Sequence, residues 1–167
     1  LQIQPFALAP RVRVSGVRIA NADWAQAEHL ATLAAADVAV SLPHLLLGRL
    51  VLPHVRLEAP HAYLERDRDG RGNWSFDDDQ EPSDAPRTLP AVRSVSVQDG
   101  YAELREGDAK SFLNLDVAHD ASESGLPIAA SARGEWRGAA ITAEARAGAV
   151  DDLLAGSRPY PLRVAAT

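Results

Sequence analysis

The sequence predicts a mainly β fold of repeated antiparallel meanders with two short helices. Three observations point there. Apolar residues recur at every second position through most segments, which is the period of a strand with one buried face. Gly, Pro, Asp and Ser cluster between those segments, where the chain must turn. A pattern also repeats at a constant offset of 40, with Val55 matching Val95, Leu57 matching Val97, Ala62 matching Ala102 and Leu64 matching Leu104. Val17 to Asn21 echoes its first part again, as expected of stacked units of one kind.

Taken in order, Val12, Val14, Val17 and Ile19 make the first strand, with Arg11, Arg13 and Arg18 between them. Ser15-Gly16 marks a change of register, a bulge or a bend. The stretch from Glu28 to Leu42 opens ambiguously, because its Ala-rich start also fits a helix, and ends as a strand at Val38, Val40 and Leu42. Pro43 and Gly48 bracket one short helical turn, near 43–48. Strands over 50–58 and 61–66 follow, with Pro60 filling a turn between them. Residues 67–90 are rich in Gly, Pro, Asp and Ser and read as a tight turn, then an exposed mobile loop over 77–90. The second half repeats the pattern, with strands at 91–98, 101–105, 112–119, 127–135 and 139–146. Gly100 fills its first turn. A second short helix near 150–155, closed by Gly156, precedes a last strand at 161–165. The chain thus divides into units 1–76 and 91–167 around the loop, joined in one continuous sheet.

Composition excludes several functions. The 167 residues include 31 Ala, 20 Leu and 13 Val but only 5% aromatics, so the inner surfaces should be smooth and aliphatic. A net charge of −6 and the lack of clustered aromatics argue against nucleic-acid binding. Without cysteine there is no disulfide, thiolate metal site or Cys nucleophile. No apolar run is long enough to span a membrane as a helix. The chain begins at Leu1 in mid-pattern and has no Met, so no natural start codon is included.

Catalytic and metal signatures are missing. The histidines His29, His44, His54, His61 and His119 lack metal-motif spacing and read as surface or turn residues. Asp67, Asp69 and Asn73 superficially suggest a calcium loop, but the glycine is misplaced and no bidentate Glu follows. They read as a polar turn in which Gly70 and Gly72 supply positive φ. Asp77 to Asp79 is a solvated acidic run. No Ser has a hydrolase context, no glycine run fits a phosphate loop, and no carboxylate pair stands out as acid and base. The reading is therefore of a non-enzyme with no cofactor and no metal.

Arg11 to Trp24 (RVRVSGVRIANADW) and above all Val38 to Phe76 resemble the AsmA family. The second stretch runs strand, Leu-Leu-x-Gly turn, two strands and Pro, then ends in Leu64-Glu65-Arg66-Asp67, Gly70-Arg71, Asn73-Trp74 and Phe76. Trp136 to Val164 is also similar. The resemblance implies a strongly twisted sheet curled into an open groove, on the periplasmic side of the inner membrane of a Gram-negative bacterium. It implies an anchor outside these residues and transport of phospholipid between the two membranes. An alternative is a structural module that assists outer-membrane protein assembly without carrying lipid. The apolar lining expected for a groove is Val38, Val40, Leu42, Leu50, Leu52, Val55, Leu57, Val95, Val97, Leu113, Leu115, Val117, Ile128 and Ile141. Gly70, Asn73, Trp74 and Phe76 are expected to be structural, with Trp74 pinning the turn. Alternation alone equally fits the closed core of a sandwich.

Overall fold

The computed structural model describes residues 9–75, 90–120, 122–123, 125–155 and 159–167. In chain order the elements are β1 (Arg11–Ala20), β2 (His29–Ala39), α1 (Leu42–Leu46), β3 (Val51–Leu52), β4 (His54–Arg66), β5 (Ala91–Val92) and β6 (Val95–Glu106). There follow β7 (Ala109–His119), β8 (Ile128–Trp136), β9 (Ala139–Ala147), α2 (Val150–Ala155) and β10 (Leu162–Ala166). The expected loop at 77–90, Phe76 and Gly156 lie outside the described residues, apart from Pro90.

Eight strands form one sheet in the order β1-β2-β4-β6-β7-β8-β9-β10, and β3 pairs with β5 separately. β1 and β10 are the two edges, so the sheet is open. The Ala-rich segment that fitted either a helix or a strand is β2, locked between β1 and β4.

One neighbouring pair in the large sheet departs from the antiparallel expectation: β4 and β6 are parallel. β6 therefore starts at the end of the sheet at which β4 began. The offset of 40 in the sequence is the register of this ladder, since Val55 pairs with Val95, Leu57 with Val97, Ala62 with Ala102 and Leu64 with Leu104. It continues into the small sheet as Val51 with Ala91 and Leu52 with Val92. Like residues meet across the strands because parallel neighbours face the same surroundings at each level.

Pro60 and Gly100 do not fill turns, as the alternation had suggested. They lie inside the unbroken strands β4 and β6, each just after a residue of positive φ, Ala59 (45°) and Asp99 (53°). A left-handed residue shifts which side the next residues face without reversing the chain. Gly16 does the same in β1 with φ 65°. The flanking pairs put Gly16, Ala34, Ala59 and Asp99 on one line across β1, β2, β4 and β6. Ala34 is not at positive φ but is likewise skipped by both neighbouring ladders; β7 has no extra residue, so the line ends there as a bulge between Val97 and Gly100. The two halves of each creased strand therefore alternate with opposite parity, which is why they looked like separate strands.

The core is thin. Among the described residues the buried apolar side chains are Leu30, Ala35, Ala36, Ala39 and Val51. A single sheet layer cannot bury either of its own faces.

Candidate functional site

Paired residues in a ladder share a face, so the registers define the surface. One row runs Val14, Ala36, Leu57, Val97, Val117, Ala130, Ala145, Val164 across all eight strands. Beyond the crease, Ile19, Ala31, Ala62, Ala102, Leu113, Gly134 and Ile141 form another. Nearer the other end, Val12, Val38, Val55 and Val95 form a third. The regular strand β7 places Leu113 and Val117 on one side, and so ties the rows on either side of the crease to a single face. That face is aliphatic from edge to edge.

Ten of the fourteen candidate lining residues are brought together there: Val38, Val55, Leu57, Val95, Val97, Leu113, Leu115, Val117, Ile128 and Ile141. Ile128 pairs with His119 and Ala147 at the end of the same sheet. Val40 prolongs the β1–β2 ladder through a bond from its N–H to Pro10 O, at 3.0 Å. Leu42 lies in α1, Leu50 just before β3, and Leu52 in β3, so these three are outside the large sheet. Sequence reasoning missed the alanines and the β10 residues that complete the face. The pairing of β8, β9 and β10 is what recruits them.

The opposite face is polar. Arg13 bridges Asp37 at 2.7 Å and Glu58 at 2.9 Å, and Arg56 donates to Gln98. A concavity of about 650 Å³ lies on this side, lined by residues of β4 and β6 through β10, among them Arg56, Gln98, Ser131, Glu144, Arg146 and Arg163. Beyond the crease, Tyr101 stands edge-on to His61 at 5.6 Å and stacks with Phe112 at 6.3 Å. Its hydroxyl donates to Glu103 at 2.7 Å, and burial together with that carboxylate pushes its pKa up to about 12. Glu103 also receives Arg105 at 2.9 Å and Lys110 at 2.8 Å. Burial opposes its charge, but the hydrogen bonds from Lys110, Tyr101 and Arg105 outweigh burial and hold its pKa below the ordinary value.

The polar motif near residues 64–76 closes one end of the sheet. Asn73 is buried. Its side-chain oxygen accepts Glu65 N–H at 2.9 Å, and its amide donates to Asn21 Oδ1 and Tyr63 O, both at 2.8 Å. The Glu65 carboxylate accepts Gln26 N–H and Ala27 N–H at 2.9 and 2.8 Å. The loop between β1 and β2 is thereby tied to the end of β4. Asp67 Oδ1 accepts Asp69 N–H and Arg71 N–H, both at 2.9 Å, so this carboxylate folds its own turn. Gly70 has φ 83° as expected, whereas Gly72 is not at positive φ. Gly72 is required for another reason: a Cβ there would lie 2.5 Å from the Trp74 ring. Arg66 covers that ring at 5.6 Å, so Trp74 packs onto the hairpin.

The histidines are dispersed. His44 bonds Ser41 Oγ at 2.7 Å, His54 bonds Ser94 Oγ at 3.1 Å, and His29 lies 3.9 Å from Glu28. His119 is exposed at the end of β7. Among the described residues no three His, Asp or Glu side chains converge as metal ligands would. No described helix is long and apolar enough to cross a membrane.

The family model described as AsmA family matches residues 4–131, well over half of the chain. No curated protein and no solved structure gives a significant match.

Proposed function

Because the chain belongs to the AsmA family, an envelope family linked to lipid and outer-membrane functions, we propose that its aliphatic sheet face binds or conducts phospholipid acyl chains. In this reading it is a non-catalytic periplasmic module of an inner-membrane-anchored protein, moving lipid between inner and outer membranes. One observation carries the reading. The row from Val14 to Val164 crosses eight strands without a polar side chain, and its end members are 45% and 57% exposed.

Magnitudes favour such a ligand. A methylene fully withdrawn from water gains about 0.8 kcal/mol, so sixteen methylenes gain at most roughly 13 kcal/mol against an association cost of roughly 4–15 kcal/mol. A long acyl chain needs no polar anchor on this face, whereas a short one fails to offset the cost.

Binding of a fluorescent long-chain fatty acid to the purified chain tests this. Val97→Asp in the central row should weaken binding by about tenfold or more. Val164→Asp, on an edge strand that tolerates substitution, should act in the same direction. Gln98→Ala on the polar face should leave binding unchanged. Full binding by both aspartate variants overturns the proposal.

The edge strand β10 favours a second reading. All five of its residues are exposed, and an open edge accepts an added strand. The module would then dock an outer-membrane assembly component without carrying lipid. Cross-linking at β10 in cells, with no lipid recovered from the purified protein, distinguishes this reading.

A further inference from the structure

Five leucines stand exposed within nine residues at one end of the sheet: Leu42, Leu45, Leu46, Leu47 and Leu50. Leu46 and Leu47 are 88% and 76% exposed, more than any other large apolar side chain among the described residues. The backbone beneath them is closed. Ser41 N–H donates to Val51 O at 2.9 Å, Leu45 N–H to Ser41 O at 3.0 Å, Gly48 N–H to Leu45 O at 2.9 Å and Arg49 N–H to His44 O at 2.9 Å. The fold holds these side chains outward; they do not belong to a loose loop.

Their electrostatic setting is one-sided. Residues 38–57 contain no Asp or Glu, although the chain as a whole carries −6. The acids at either border, Asp37 and Glu58, are both bound by Arg13. No described carboxylate pairs with Arg49, which closes the turn. The helix α2, with Asp151 and Asp152, packs against β5. Projecting leucines flanking an arginine without a described carboxylate partner match a lipid–water interface, in which apolar side chains enter the acyl layer and the guanidinium stays at phosphate level. The aliphatic face reaches this point too, since Val38 in its outermost row lies three residues before Ser41.

We propose that α1 and its flanking leucines form an interfacial docking element through which this end of the sheet rests on an anionic bilayer. The purpose of that contact rests on the acyl-chain reading, because docking sets the aliphatic face against the lipid it would take up.

The test is co-sedimentation of the whole chain with vesicles of phosphatidylglycerol and phosphatidylcholine, beside vesicles of phosphatidylcholine alone. Preferential, salt-sensitive binding to the anionic vesicles is expected. The Leu46→Ser, Leu47→Ser double variant should lose binding by about tenfold or more while keeping its melting temperature, and Arg49→Glu should abolish the preference for anionic lipid. Fatty-acid binding measured without vesicles should survive the double variant. If the acyl-chain reading fails, vesicle binding persists without fatty-acid binding, and docking stands. Vesicle binding unchanged in the double variant overturns the proposal. A wild-type dimer that ignores vesicles and becomes monomeric in the double variant also overturns it, by showing that a second copy covers the leucines.

Discussion

Ala59 and Asp99 sit side by side on the parallel strands β4 and β6, and both have positive φ, at 45° and 53°. An alanine in that region is strained by its Cβ, and a glycine is not. Ala59→Gly should therefore stabilise the protein by about 0.5–1 kcal/mol, seen as a rise in melting temperature of about 1–4 °C. A fall would mean that the entropy regained by the unfolded chain outweighs the relieved strain.

Gly72 and Trp74 make a second pair whose substitution has a definite sign. Gly72→Ala places a methyl into the indole ring and should cost about 1–3 kcal/mol. Trp74→Ala removes the ring and the Arg66 contact, and should cost about 1–3 kcal/mol at this half-buried site. In the double variant the steric conflict is gone, so the two losses should not add. Thermal melts of the three variants check this through the cycle.

Asn73→Ala should be more damaging than its size suggests. It leaves the buried Glu65 N–H without an acceptor and frees the loop after β1, at an expected cost of about 2–4 kcal/mol. Denaturant unfolding measures it. Hydrogen exchange should show residues 21–28 loosening first, because Asn21 is the group on which Asn73 closes.

Glu103 should make part of the acid sensitivity. Its folded pKa is held below the ordinary 4.5, so the unfolded chain takes up that proton more readily. The stabilisation is complete above about pH 4.5 and is lost as the pH falls below it, through the lower folded value. Glu103→Gln should flatten the stability profile between about pH 5 and pH 3. It should also lower stability near neutrality, by about 1–2 kcal/mol.

Chain length should govern ligand binding. At about 0.8 kcal/mol per methylene, acids of about eight carbons should bind too weakly to detect and acids of about sixteen should bind readily. Competition against a fluorescent long-chain fatty acid measures the threshold. Equal affinity across the series would point to recognition of the carboxylate.

Much of the fold is legible in the residues because one face of each strand is apolar. Val12, Val14, Val17 and Ile19 even show the change of parity at Gly16. Ala59 and Asp99 hid the same event, since neither residue type announces a left-handed backbone, and two half-strands were the simpler reading. The parallel register was present as an offset of 40, but a self-similarity does not say whether like segments stack or lie side by side. The candidate site was legible where the side chains are Val, Leu or Ile. It was not legible at Ala130, Ala143 or Ala145, because an alanine faces either side at little cost. Leu42 and Leu50 looked like lining residues because hydrophobicity alone does not tell a sheet face from a projecting turn.

The aligned line through Gly16, Ala34, Ala59 and Asp99 limits how this sequence can change. Deleting Ala59 alone would leave Ala62 and Leu64 on the aliphatic side, because the extra residue and the shift it causes go together, but β4 would then be one residue short and would force bulges into its ladders with β2 and β6, like the one between β6 and β7. No single-residue deletion in one of these four strands is neutral, although simultaneous loss from all of them would restore a regular lattice. Length variation in the family should accordingly accumulate outside these strands, and any member that lacks one of the four positions should lack the others as well.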